Sequence, residues 1–312
     1  MTQEQPKNIA ASVRQRLLNI SRQQGEDFQL VLIRYALERL LYRISNSEYR
    51  DQFILKGAML FQIWSQQSHR PTRDIDFLGQ GEHSESRYQK IFEDICKIDA
   101  QPDGLEFVGK SIRVSTMKEN EKYQGIRVTL QSLLGSARIP IQVDIGFGDA
   151  ITPGPIDIVY PTILDFDAPR LKSYPRETVV AEKYQAMVVL GITNSRMKDF
   201  FDIWSLCEQF AFEGANLCNA ILATFKRRNT ELPDGRPIAM SREFFDDQQK
   251  QTQWRAFISR NGLISESLSL ASVVNKLEQF LLPPTAAVRN GQTLSKQWLS
   301  GGPWLSSPAE NR

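Results

Sequence analysis

The stretch RPTRDIDFLG, residues 70–79, sets two carboxylates, Asp74 and Asp76, one residue apart in an otherwise apolar run. Read as a strand, its side chains alternate, so Asp74 and Asp76 leave one face while Ile75 and Phe77 enter a core from the other. Two acids on one face raise each other's pKa and weaken a fold unless a cation lies between them. Hard divalent ions such as Mg²⁺ take oxygen donors in that arrangement. The same residues would also suit a solvated strand surface paired with Arg70 and Arg73, so the decision rests on the rest of the chain.

A third acid strengthens the metal reading. In IPIQVDIGFGD (139–149), Asp144 sits at the centre of an apolar strand and faces the same way as Gln142 and Gly146, where a partly buried carboxylate needs a partner. Upstream, QFILKGAMLFQIWSQQ (52–67) reads as a β-prone run, a Lys56-Gly57-Ala58 turn and a helical segment, giving a strand, helix, strand unit with residues 73–79. Backbone N–H groups of Gly57 and Ala58 at the start of that helix are placed to meet phosphate oxygens, although a glycine there also serves as a plain turn residue.

Outward from this centre, apolar spacing predicts two amphipathic helices between Asn8 and Ser45, divided at QQGED, and another over Ser84–Ile98. LEFVGKSIRVS, YQGIRVTLQSLL and RIPIQVDIGFG follow as hairpin-connected strands, so the sheet is mixed. Five prolines between Thr152 and Pro175 rule out one long regular element there. From Arg176 the pattern is helical through ETVVAEKYQAMVVLG, RMKDFFDIWSLCEQF, NLCNAILATFKRR, REFFDDQQKQTQWRAFISR and LASVVNKLEQFLL. The expected plan is α/β (α+β): helices over 1–50 packing on a core at 51–175, a helical domain at 176–282, and a loose Gly, Ser and Pro rich tail at 283–312.

With 41% hydrophobic and 24% charged residues in 312, the chain has the composition of a globular protein and not of a disordered one. No apolar run nears the roughly 20 residues of a membrane helix, and MTQEQPKNIAASVRQRLL lacks a secretory apolar segment, so the cytoplasm is the expected address. Cys96, Cys207 and Cys218, with only His69 and His83 beside them, suit neither a disulfide frame nor a zinc site. A net charge of +2 says nothing about nucleic acid by itself. Local candidates for phosphate contacts are Arg170, Lys172, Arg176, Lys226, Arg227 and Arg228, with Tyr174 or Trp254 as stacking faces; each is equally a surface group.

Together, a Gly-containing turn and helix, a D-x-D strand and a third acid on another strand resemble the core of the polymerase-β-like nucleotidyltransferases. FILKGAMLFQIW, RPTRDIDFLG, VDIGFGD, ETVVAEKYQAMVVLG and NSRMKDFFDIWSL occur in the order of the AbiEii/AbiGii toxin family motifs, from roughly Ser12 to Leu263. Where the superfamily carries Gly-Ser or Gly-Gly, this chain has Gly57-Ala58, which leaves only backbone donors there.

The resemblance implies transfer of a nucleoside monophosphate from a nucleoside triphosphate to an acceptor hydroxyl with release of pyrophosphate. It points to an RNA acceptor, a tRNA 3′ end above all, and to a cognate antitoxin protein. Asp74, Asp76 and Asp144 would hold two Mg²⁺ ions and act catalytically with Lys183 and Asp199. Lys56, Gly57, Ala58, Thr72, Arg73 and Lys183 would bind the nucleotide, and Thr72 matches a serine that some antitoxins phosphorylate. A pair of surface helix charges is the alternative for Lys183 and Asp199. A protein or small-molecule acceptor, and a catalytically silent binding module, are the competing functions.

Overall fold

The computed structural model describes residues 8–64, 70–120, 123–263 and 268–306, the side chains of 118–120 and 123–124 excepted. His69 and the end of QIWSQQ therefore lie outside the described residues, as does the start of the chain. The described residues form two compact units, one drawn from within 1–148 and 156–173, the other from within 149–155 and 174–312.

In the first unit, α1 (Ile9–Gln24) begins where the Asn8 carboxamide oxygen accepts the Ala11 N–H, and ends at Gly25 in the left-handed region at φ +66°. Asp27 caps α2 (Phe28–Ser45) in the same way, so the expected division at QQGED is where the two helices part. Then come β1 (Phe53–Lys56), a 3₁₀ turn over Gly57–Leu60, α3 (Phe61–Trp64), β2 (Asp74–Gly79) and α4 (Glu85–Cys96). Three longer strands follow, β3 (Leu105–Asn120), β4 (Tyr123–Leu134) and β5 (Ala137–Phe147), with β6 (Ile156–Val159) and β7 (Arg170–Ser173) after them.

These strands make a seven-stranded mixed sheet in the order β3-β4-β5-β2-β1-β7-β6. The β2·β5 and β1·β7 pairs are parallel and the rest antiparallel. The proline-rich segment thus supplies two four-residue strands, one hydrogen-bonded to β1. Ile75, Phe77, Val128, Val143 and Ile145 are fully buried on one face of the sheet, which fixes the opposite face for the polar residues between them.

The second unit is helical: α5 (Arg176–Leu190), α6 (Met197–Gln209), α7 (Gly214–Arg227), α8 (Arg242–Phe245), α9 (Gln248–Arg260) and α10 (Leu270–Arg289). A small sheet of β8 (Phe212–Glu213), β9 (Lys296–Trp298) and β10 (Trp304–Ser306) accompanies them in the order β10-β9-β8. Residues 283–306 are not the loose tail that their composition suggested. Helix α10 runs on through Pro283 and Pro284, and β9 and β10 pair beyond it. Pro284 has no N–H to give the Phe280 carbonyl, and the Trp304 indole N–H donates to that oxygen instead at 3.0 Å. The rings of Phe212, Phe280, Trp298 and Trp304 pack together around this bond.

Candidate active site

The acids of the first unit stand on the polar face of the sheet. Asp74 and Asp76 are half-buried while Ile75 and Phe77 between and beyond them are fully buried, as strand alternation requires. Strand register then aligns four charges across four strands: Lys56 on β1 lies opposite Asp76, Asp76 opposite Asp144 on β5, and Asp144 opposite Arg127 on β4. A second row beside it runs Asp74, Gln142, Thr129 and Arg113. Cross-strand partners share a face, so the three acids occupy one patch of sheet.

Each carboxylate has local company. The Thr72 hydroxyl donates to Asp74 Oδ1 at 2.6 Å. Arg127 grips Asp144 with two parallel bonds, Nε to Oδ1 and Nη2 to Oδ2, both 2.7 Å, and the Gln142 amide adds a 3.1 Å bond to Oδ2. These Asp144 bonds hold the Arg127 guanidinium pKa above its ordinary value against burial, and the charges of Asp144, Asp74 and Asp76 add to the effect. Arg127 therefore lies in the field of all three acids.

Gly57 closes the patch from the β1 side. Its φ is +75°, and a Cβ placed there would collide with Asp76 Oδ2, so no other residue fits without moving the acid. Ala58 beside it is buried, and Arg73 is exposed. Lys56 Nζ reaches over Gly146, two residues after Asp144, where an added Cβ would sit 3.2 Å from the nitrogen.

Among the described residues, no three His, Cys, Asp or Glu side chains converge on a point that could hold a metal ion. Asp74 accepts from Thr72 and Asp144 from Arg127. The donor set still fits a hard cation, being three carboxylates on adjoining strands with a guanidinium as counter-charge at one of them.

Lys183 and Asp199 belong to a separate group within the second unit. Lys183 Nζ bridges Asp199 Oδ1 at 2.6 Å and Asp202 Oδ2 at 2.8 Å, and Arg196 Nε stands 2.7 Å from Asp199 Oδ2 as an ion pair without hydrogen-bond alignment. Both acids are fully buried, which corrects the picture of a surface charge pair. Other expectations change as well. Tyr174 and Trp254 are buried, the Trp254 indole donating to the Leu268 carbonyl, so neither offers a stacking face. Arg228 is held by Asp149 and Glu182, and Arg176 lies over the Phe210 ring, whereas Arg170, Lys226 and Arg227 are exposed.

Arg127 lies in the candidate site and is not among the residues that the sequence singles out. Its signal was present: YQGIRVTLQSLL alternates as a strand beside RIPIQVDIGFG, and a short hairpin between them places Arg127 level with Asp144 once the turn is counted.

The sequence profile of the family described as "Nucleotidyl transferase AbiEii toxin, Type IV TA system" matches residues 39–276. No curated protein matches the chain. Two crystal structures from Helicobacter pylori are similar to it, each at 12% identity with a TM-score of 0.46 over 85% of this chain. One is of a candidate nucleotidyltransferase, 96% of which is covered, and the other is of JHP933, 94% of which is covered.

Proposed function

The chain belongs to the AbiEii nucleotidyl transferase toxin family of type IV toxin–antitoxin systems, and on that premise we propose that it transfers a nucleoside monophosphate from a nucleoside triphosphate to RNA, with a tRNA 3′ end as acceptor and Mg²⁺ as cofactor. One observation carries this reading: Asp76 and Asp144 are in register on adjoining parallel strands, with Asp74 on the same face.

In this proposal Asp74, Asp76 and Asp144 supply the oxygen ligands. Divalent metal, when bound, would lower the pKa of the acceptor hydroxyl and neutralise charge on the leaving pyrophosphate. The buried Ile75 and Phe77 keep the strand from shifting, Thr72 orients Asp74, and Gly57 lets the backbone lie against Asp76. Lys56, Ala58 and Arg73 are assigned to the nucleotide with Gly57 and Thr72. Lys183 is assigned as a phosphate-binding cation that Asp199 and Asp202 orient. A cognate antitoxin is the proposed regulatory partner and the cytoplasm the proposed location; no helix among the described residues is long and apolar enough to cross a membrane.

The test is incubation of the folded protein with each α-labelled nucleoside triphosphate, Mg²⁺ and total RNA. Label on RNA, lost in Asp76→Asn, is expected. Label on protein or a small molecule would redirect the acceptor, and no transfer to anything would overturn the reading.

A further inference from the structure

Asp144 has both carboxylate oxygens engaged by Arg127 and a third bond from Gln142. Those three bonds leave Asp144 one lone-pair position, on Oδ1, and a divalent ion there would lie beside a guanidinium that does not lose its proton in proteins, so the two cations compete for the carboxylate and full metal binding favours moving Arg127 away as a charged group. It is built to do so. Its side chain is 41% exposed while Asp144 is 17% exposed, leaving the carboxylate fixed in the sheet and the cation free towards solvent. Departing, it needs another anion. The remaining acids of the patch, Asp74 and Asp76, are themselves assigned to metal, and phosphate oxygens accept the same two-pronged donation that a carboxylate does.

We propose that Arg127 is a displaceable counter-ion on Asp144, drawn off by the nucleotide triphosphate, so that Asp144 becomes a metal ligand only after nucleotide has bound. This rests on the reading of Asp74, Asp76 and Asp144 as the metal site. The arrangement makes loading sequential: one divalent ion binds at Asp74 and Asp76 in the free protein, and the second follows the nucleotide. It also keeps three acids together in one patch without nucleotide, because the guanidinium offsets one of the charges.

Mn²⁺ binding to the full chain, counted by titration with electron paramagnetic resonance, tests this without any turnover. The probe nucleotide is an equimolar mixture of the α,β-methylene analogues of ATP, GTP, CTP and UTP. The native chain is expected to bind one Mn²⁺ alone and two with the mixture, whereas Arg127→Gln binds two without nucleotide, the second at least about tenfold tighter than in the native chain. Arg127→Lys, which keeps the charge and loses the fork, is expected to fall between them. If the native chain and Arg127→Gln bind identical numbers with identical affinities, the counter-ion role is overturned while the metal site stands. If Asp76→Asn with the mixture still binds two ions, the metal reading falls and the proposal with it.

Discussion

The acid row on the sheet and the Lys183 group of the second unit are both built from carboxylates and cations, yet their surroundings differ. In the sheet the acids are half-buried and the cation facing Asp144 reaches solvent. In the helical unit Asp199 and Asp202 are fully buried and Lys183 is 13% exposed. Removing one partner from a buried group leaves a charge that water cannot reach, while removing one from a half-exposed group leaves a charge that water can solvate. A change in the first kind of group costs folding stability whatever else the group does, and the second can exchange its partners at little cost.

The sharpest way to break this contrast is Lys183→Ala. It is expected to lower stability by on the order of 3–5 kcal/mol in chemical denaturation, since two buried acids lose their shared cation. A loss below about 1 kcal/mol would place the group with ordinary surface pairs. Asp76→Asn should do the reverse: stability close to native, and nucleotidyl transfer reduced about a thousandfold, equivalent to roughly 4 kcal/mol of activation.

Glu38 separates burial from location, because it is a buried acid in the same unit as the sheet. Burial, only partly offset by the Ile163 N–H and Arg39, pushes its pKa from 4.5 up to about 7. Across that window the folded chain keeps a proton that the unfolded chain releases, so stability falls as pH rises. Glu38→Gln is expected to flatten the decline between about pH 5 and pH 8 by roughly 1–3 kcal/mol, read as denaturation midpoints against pH. An unchanged slope would mean that burial does not set the behaviour of these acids. The smallest effect belongs to Arg127→Gln, which should change stability by less than about 1 kcal/mol because the freed Asp144 can be hydrated.

Much of the site was legible in the sequence because strand alternation is a local rule: Asp74, Asp76 and Asp144 had to face away from Ile75, Phe77, Val143 and Ile145 once those were core. What a strand meets across the sheet is not local. Nothing in RLKS announces that it pairs with β1, and only register sets Arg127 level with Asp144 and Lys56 level with Asp76. The buried state of Asp199 and Asp202 was hidden for a related reason. Asp199 and Asp202 lie together on α6, but Lys183, which pairs with both, comes from α5. Composition misled most at residues 283–306, where prolines that usually end a helix lie inside one.

That last helix carries a consequence in time. The hydrogen bond that replaces the one Pro284 cannot make comes from Trp304, 24 residues further along the chain than the Phe280 carbonyl it serves. During synthesis on the ribosome, α10 is therefore made before the group that completes it. The aromatic cluster around Phe280 cannot close until Trp298 and Trp304 have both emerged, so this part of the second unit matures only after α10 itself has been made.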